Sequence, residues 1–291
     1  MKRTGYILFG VAALLLLTIF LMLQQNQSEF DWRETYDEVE KDPYDTYIIQ
    51  QLLEDYFPDE RFTIIEEGIQ EELPLNESAT YVFIGEAQLM DSTDMDQLLD
   101  FVFNGQTAFI ASRLLPPSLQ DELYYEVCEE GWWAYHDEYW NTSMPVNFIH
   151  PQLQLPDDVQ LHHVYQNDTI YYRWQYFDGS TFCEDETAPV RLGYAQDSLV
   201  NFVRVNYGKG QFLLHTMPIA FTNLPMLEQE VVEYASRVFT HVPEGAIYWD
   251  RSSRVSEEVA QRAYFPNENS YGQRASNESP LQYILAQPAL A

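Results

Sequence analysis

The chain has 291 residues, of which 46% are hydrophobic and 15% aromatic, enough apolar material for one large packed domain or two. Its 46 acids against 15 bases leave a formal net charge of −31, a field that repels nucleic acid and anionic lipid head groups and so excludes nucleic-acid binding as the function. The acids are scattered without a long acidic tail, which reads as a solvated acidic surface; a general calcium appetite or adaptation to high salt would look the same.

Behind Lys2 and Arg3, residues 6–23 form an uncharged apolar run of 18 residues. As a helix it would reach about 27 Å, close to the roughly 30 Å of hydrocarbon in a bilayer. The run lacks the small-x-small cleavage site of a signal peptide, so it is expected to be an uncleaved transmembrane helix. Two cations before it and an acidic flank after it place residues 1–5 in the cytoplasm. The expected topology is therefore a single-pass protein of a bacterial inner membrane with its bulk extracytoplasmic, in the periplasm.

Residues 24–41 are polar and read as a spacer. Asp42 and Pro43 suit the start of a helix, and Tyr47, Ile48, Leu52, Leu53 and Tyr56 recur at helical spacing before Pro58. A short strand is expected at 61–65 and a second at 80–85. Next comes a helix with Thr93 as cap, Asp94 and Asp96 in its first turn and Gly105 at its close. A third strand is expected at 107–112.

Such alternation predicts an α/β fold with a doubly wound, mostly parallel sheet. From about 132 to 205 the segments are aromatic and rich in strand formers, with Asn-Asp and Asp-Gly turns, which predicts a β-rich insertion. The α/β pattern returns with a strand at 210–217, an amphipathic helix at 225–239 and a strand at 246–250. One α/β domain with its insertion is thus expected over 42–250. Residues 251–291 are polar and weakly periodic, and read as poorly structured.

The order WRETY, DPYDTY, TYVFIG, TAFIAS, NYGKGQFLLHTMPIAFTN and AIYWD resembles a bacterial membrane-protein family known only as domain of unknown function 4350. The most distinctive pieces are Asp42-Pro43-Tyr44 and Tyr207-Gly208-Lys209-Gly210, the latter leading into a strand that closes at Thr222-Asn223. The resemblance implies a flavodoxin-like or class I glutamine-amidotransferase-like domain, and an AAA-type ATPase system as partner. The chain carries Asp45 where the family usually has glycine, and it stops at Ala291 without the family's second transmembrane helix.

The chemistry such a fold would need is incomplete. The strand TAFIAS supplies Ser112 and no cysteine, and no Gly-x-Ser-x-Gly elbow occurs. Cys128 follows an acidic segment that suppresses a thiolate. Cys128 and Cys183 are the only cysteines and can persist as a disulfide outside the cytoplasm, although spacing alone establishes no bond. The Gly208-Lys209-Gly210 segment lacks the pattern of a phosphate loop and reads as a hairpin turn.

His215, with Thr216, Thr222 and Asn223 nearby in sequence, is the best single candidate for a functional histidine, but a core histidine satisfied by a backbone partner is the favoured reading, because one imidazole without a placed carboxylate or nucleophile defines no mechanism. His162 and His163 would face opposite sides of a strand. Asp91, Asp94 and Asp96 fit helix capping better than a calcium loop, so neither a metal nor a cofactor is expected. Trp132, Trp133, Tyr135, Tyr139 and Trp140 are dense enough to stack on a sugar, or to pack a core.

The expected function is a non-catalytic interaction or ligand-binding module. The residues singled out for binding are Asp42, Tyr44, Tyr207, Gly208, Lys209, Gly210, His215, Thr222 and Asn223. Two alternatives stand beside it: an envelope hydrolase using His215, and a carbohydrate-binding module using Trp132, Trp133 and Trp140.

Overall fold

The computed structural model describes residues 30–56, 61–75, 78–125, 137–177, 189–196 and 199–266, together with Leu15 and Thr18. Its centre is a ten-stranded mixed sheet. In chain order its strands are β1 (Phe62–Ile65), β2 (Ala79–Gln88), β3 (Thr107–Leu114), β5 (Ser143–Phe148), β6 (Val159–His162), β10 (Val190–Ala195), β11 (Leu199–Tyr207), β12 (Gly210–His215), β13 (Ala246–Asp250) and β14 (Arg254–Val255). Between them, β4 (Asp137–Asn141) pairs with β9 (Tyr172–Tyr176), and β7 (Val164–Tyr165) with β8 (Asp168–Thr169), as two small ribbons.

The spatial order is β1-β13-β2-β3-β12-β11-β10-β5-β6, with β14 added against β2. Neighbours from β1 to β12 are parallel; those from β12 to β6 are antiparallel. This corrects the expected doubly wound, mostly parallel sheet and the flavodoxin-like or amidotransferase-like fold attached to it. The β-rich stretch is not an insertion set beside the sheet, because β5, β6, β10 and β11 continue the same sheet. Reversal occurs where β11 turns into β12: Tyr207 pairs with Gly210 across the two-residue loop Gly208-Lys209.

The middle strands are apolar because both their faces are covered. β3 is buried along its whole length and β2 at all but one position. Side chains alternate between two cores. One face carries Val82, Ile84, Phe109 and Trp249 under α1 (Tyr47–Tyr56) and α5 (Gln229–Phe239). The other carries Tyr81, Phe83, Ile110 and Phe212 under α3 (Ser92–Phe103). The cap of α3 is Asp91, which accepts from the backbone N–H groups of Thr93 and Asp94, two residues earlier than the expected cap Thr93. The remaining helices are α2 (Ile69–Glu72), α4 (Pro117–Tyr125) and α6 (Glu257–Tyr264).

Two stretches read as unstructured are built into the molecule. Residues 30–41, taken for part of a spacer, bury Tyr36 and Glu38. Residues 254–264, taken for a loose tail, form β14 and α6, the latter capped by Ser256.

The expectation of a single-pass inner-membrane protein is also corrected. Among the described residues no helix is long and apolar enough to cross a membrane. The run 6–23 on which it rested lies, apart from Leu15 and Thr18, outside the described residues.

Candidate functional site

The carboxyl ends of β2 and β3 bring two charged side chains, Glu86 and Arg113, to adjacent strands. Around them lies a network whose other members come from remote parts of the sequence. The Arg113 guanidinium lies 3.3 Å from Glu86, 3.6 Å from Glu34 and 3.1 Å from Glu257. Arg173 on β9 also pairs with Glu257. Arg113 further stacks on the Tyr172 ring, 5.1 Å from its centroid.

Glu34 is held from every side. The Tyr36 hydroxyl donates to it at 2.7 Å, the Tyr172 hydroxyl at 2.8 Å, and His163 Nε2 lies 3.3 Å away. His163 is itself clamped between the rings of Tyr44 and Tyr172, at 4.6 and 4.5 Å and nearly parallel to both. The Tyr44 hydroxyl accepts from the Val164 N–H and donates to the Val164 carbonyl. Tyr36 occupies a left-handed backbone conformation, φ 54°, which costs a residue with a bulky side chain about 1–3 kcal/mol. Its hydrogen bond to Glu34 and its complete burial hold it there.

Two carboxylates of this network, Glu34 and Glu86, differ in acidity. Burial pushes Glu34 up, but the His163 hydrogen bond, the Arg113 charge and the two tyrosine hydroxyls outweigh it, leaving Glu34 below the ordinary carboxylate value. Burial also pushes Glu86 up. Arg113 opposes that push, the charges of Glu34 and Glu257 add to it, and Glu86 ends above its ordinary value despite a hydrogen bond from the Glu257 N–H.

Beside this network lies a cavity of about 210 Å³ lined by Glu34, Thr35, Tyr36, Glu86, Arg254, Val255 and Ser256. β14 places Arg254 there by pairing Arg254 with Gln88 and Val255 with Ala87. Gly85 leaves room for the Arg254 stem: a Cβ there would lie 3.1 Å from Arg254 Cγ and 2.7 Å from the Phe83 ring. One Arg254 nitrogen pairs with Glu38 at 2.9 Å, a carboxylate that Arg251 also holds at 3.3 Å, and the Arg254 Nε and Nη2 are buried without a hydrogen-bond partner. A larger depression of about 460 Å³ lies at the opposite, amino ends of β2 and β3, lined by Ser78, Asn104, Gln106 and Glu244 among others. Ligands of open α/β sheets sit outside the carboxyl ends of the strands, and the converging charged network lies at that end.

The residues singled out from sequence do not form one site. Asp42, Tyr44, Thr222 and Asn223 do come together, as a structural clip. Asn223 Nδ2 donates to the Asp42 carbonyl, its Oδ1 accepts from the Ile48 N–H at the start of α1, and its own N–H donates to the Asp45 carbonyl. Thr222 bonds the Ile219 carbonyl. Asp45 is buried and accepts from Thr35 Oγ1 and from the Asp37 and Asp42 N–H groups, folding residues 35–46 over the sheet.

Tyr207, Gly208, Lys209 and Gly210 lie at the amino end of β12, packed on the end of α3. Gly208 has φ 57°, and a Cβ on Gly210 would lie 2.1 Å from the Gln106 carbonyl oxygen. These glycines serve close packing.

His215 is fully buried, and burial lowers it to about 3, so its imidazole is neutral. Nδ1 accepts from the Met217 N–H, so the proton is on Nε2 and is donated to the Tyr234 hydroxyl at 2.9 Å, which also accepts from Asn201. Phe202 and Phe221 pack against the ring. Neither of the two cavities described above is lined by His215. Ser112 is also buried and donates to the Leu114 carbonyl.

Trp140 on β4 is 61% exposed and Tyr139 pairs across the ribbon with Trp174. Trp132, Trp133, Tyr135, Cys128 and Cys183 lie outside the described residues, and with them the expected sugar platform and disulfide. Among the described residues no group of three or more His, Cys, Asp or Glu is placed to hold a metal ion.

No protein-family model matches the chain, and no curated protein matches it. Among solved structures, exo-beta-1,4-mannosidase Op5Man5 from Opitutaceae bacterium strain TAV5 is similar over 56% of this chain and 24% of that one, with 10% sequence identity and a TM-score of 0.35. The chain thus spans about a quarter of the mannosidase. A likeness this slight carries neither fold nor activity across.

Proposed function

We propose that the protein is a ligand-binding module whose site is the crevice at the carboxyl ends of β2 and β3. The observation that supports this reading is the cavity of about 210 Å³ walled by Glu34 and Glu86 beside a buried ion network. It is smaller than the roughly 300–1,000 Å³ of drug-sized sites, which suits a compact polar molecule. A non-catalytic role fits the acid, hydroxyl and imidazole groups described above. Glu34 is saturated with donors, the Ser112 hydroxyl is turned onto backbone carbonyls, and the neutral His215 is enclosed in apolar packing.

The test is thermal unfolding of the full chain with a panel of amines, amino acids, hydroxy acids and monosaccharides. At least one compound raises the midpoint of the wild type and has no effect on Val255→Trp, which fills the mouth of the cavity. A panel without effect, or an effect that survives the filled mouth, would remove the reading.

A docking role toward an AAA-type ATPase is a second reading, suggested by the resemblance to domain of unknown function 4350. A surface patch favours it: Phe30 and Tyr165 are exposed, with Trp32 between them at 6.5 and 6.1 Å. Copurification of such an ATPase with the wild type but not with Tyr165→Ala would support it; recovery of the protein without an ATPase would count against it.

A further inference from the structure

Arg254 lines the cavity with an incomplete set of bonds. Only 11% of its side chain is exposed, and Nη1 bonds to Glu38 at 2.9 Å. Nε and Nη2 are buried without a hydrogen-bond partner. These two nitrogens belong together: they form one edge of the planar guanidinium, the fork that takes both oxygens of a carboxylate through parallel N–H···O bonds. Leaving buried donors unbonded is costly, so an idle edge calls for an acceptor from outside the chain.

The acids around Arg254 do not supply one. Glu38 is already on Nη1 and is also held by Arg251 at 3.3 Å. Glu86 lines the same cavity, yet its ion pair is with Arg113, which Glu34 and Glu257 share. An acid and a guanidinium thus face one small space without bonding each other. Of the two acids in the lining, Glu34 has both tyrosine hydroxyls, His163 and Arg113 on it. Glu86, with 20% of its side chain exposed, is the acceptor left for a ligand. Burial and the charges of Glu34 and Glu257 oppose its ionised form, and a positive group in the cavity would offset them.

The field of the whole molecule narrows the choice. A net charge of −31 repels a free anion, so a carboxylate bound for Arg254 has to bring its own positive charge. Resting on the proposed binding site, we infer that its ligand is a small amino acid in zwitterionic form, its carboxylate on the Nε–Nη2 edge of Arg254 and its ammonium on Glu86. Because water does not reach that edge, the guanidinium turns toward the cavity as the ligand enters, pivoting on its bond to Glu38. Gly85 leaves the Arg254 stem free to do so, since a Cβ there would come within 3.1 Å of Cγ.

The experiment is isothermal titration calorimetry of the full chain at neutral pH and physiological salt. The probes are glycine, 3-aminopropanoate and 4-aminobutyrate, which space their two charges differently, with butyrate and butylamine carrying one charge each. At least one amino acid binds, and butyrate and butylamine bind at least about tenfold more weakly than it does. Arg254→Lys keeps a charge beside Glu38 but removes the fork, and weakens that amino acid by about tenfold or more. Glu86→Gln weakens it by a similar factor, whereas Glu71→Gln, at an exposed acid on α2, changes nothing. A readout on the wild type does not depend on how the variants fold: the Arg254 Nε–H NMR signal moves downfield as the amino acid saturates the site.

Butyrate binding as tightly as the best amino acid would overturn the ammonium on Glu86. Butylamine doing so, or an unmoved Arg254 Nε–H signal, would overturn the carboxylate on Arg254. Absence of binding by all three amino acids would overturn the inference outright, while the hydroxy acids and monosaccharides of the thermal panel would still decide on the crevice. Amino-acid binding that survives Val255→Trp would overturn the inference and the crevice together.

Discussion

Glu34 and Glu86 show how one guanidinium can serve two carboxylates differently. Removing the charge of Glu34 leaves Arg113, His163 and two tyrosine hydroxyls around a weaker acceptor, so Glu34→Gln should destabilise by about 3–5 kcal/mol in urea unfolding. Glu86→Gln should cost little at neutral pH or stabilise slightly, because burial and the charges of Glu34 and Glu257 oppose the ionised form of Glu86.

The pH dependence separates the two. Glu34, held low, contributes stability that is present above the ordinary carboxylate value and lost as pH falls through its folded value. Glu86, held high, contributes stability that is present below the ordinary value and lost as pH rises through its folded value. The advantage of Glu86→Gln over wild type should therefore grow as pH rises from about 4 to about 7, read from urea midpoints across that range. A flat difference would show that Glu86 is not the strained member.

His215 gives a third check. Lowered to about 3, it contributes stability that is full above the ordinary histidine value and lost as pH falls. Its NMR signals should not titrate between about pH 8 and about pH 4, and imidazolium signals at pH 5 would contradict the closed core around it.

At the scale of elements, Asn223 is the clearest hinge of the argument. One amide caps α1 through the Ile48 N–H and ties the 42–46 turn to the segment after β12. Asn223→Ala strands these groups, and should cost about 1–3 kcal/mol with faster hydrogen exchange from Asp45 to Ile48. Unchanged exchange there would show the clip to be redundant. Gly210→Ala should be poorly tolerated for a different reason: its Cβ would collide with the backbone carbonyls of Val102 on α3 and of Gln106 just before β3.

These residues stand out in the sequence, but their partners do not. Tyr207-Gly208-Lys209-Gly210 was legible as a turn because glycine marks a backbone need locally. Asn223 was legible as unusual, but its partners lie 175 and 181 residues away. Ser256 with Glu257 and Glu258 carried a readable helix start that the polar surroundings hid. Glu34, Glu86, Arg113 and Glu257 carried no signal. In a chain with 46 acids, nothing local tells a buried carboxylate from a solvated one.

For the whole molecule, strand positions such as 107–112 and 246–250 could be read from apolar runs, whereas strand direction could not. An apolar run looks the same in a parallel and an antiparallel sheet when both faces are covered. The reversal at β11 and β12 therefore decides the architecture from two residues, Gly208 and Lys209, and makes half the sheet antiparallel. It leaves a parallel half whose carboxyl ends, at β2 and β3, carry the crevice. Residues 30–46, β9, β14 and α6 then close over those ends and deliver Glu34, Arg173, Arg254 and Glu257 to one place.

The claim that this crevice is the binding site is tested most directly by a two-dimensional amide NMR titration of the full chain with the compound of the thermal panel that raises the midpoint most. The account predicts saturable shifts confined to Thr35, Tyr36, Glu86 and Arg254 to Glu257, and their loss in Val255→Trp. Shifts centred on the Gly208 hairpin or the Phe30 and Tyr165 patch, or no saturable shifts, would contradict it.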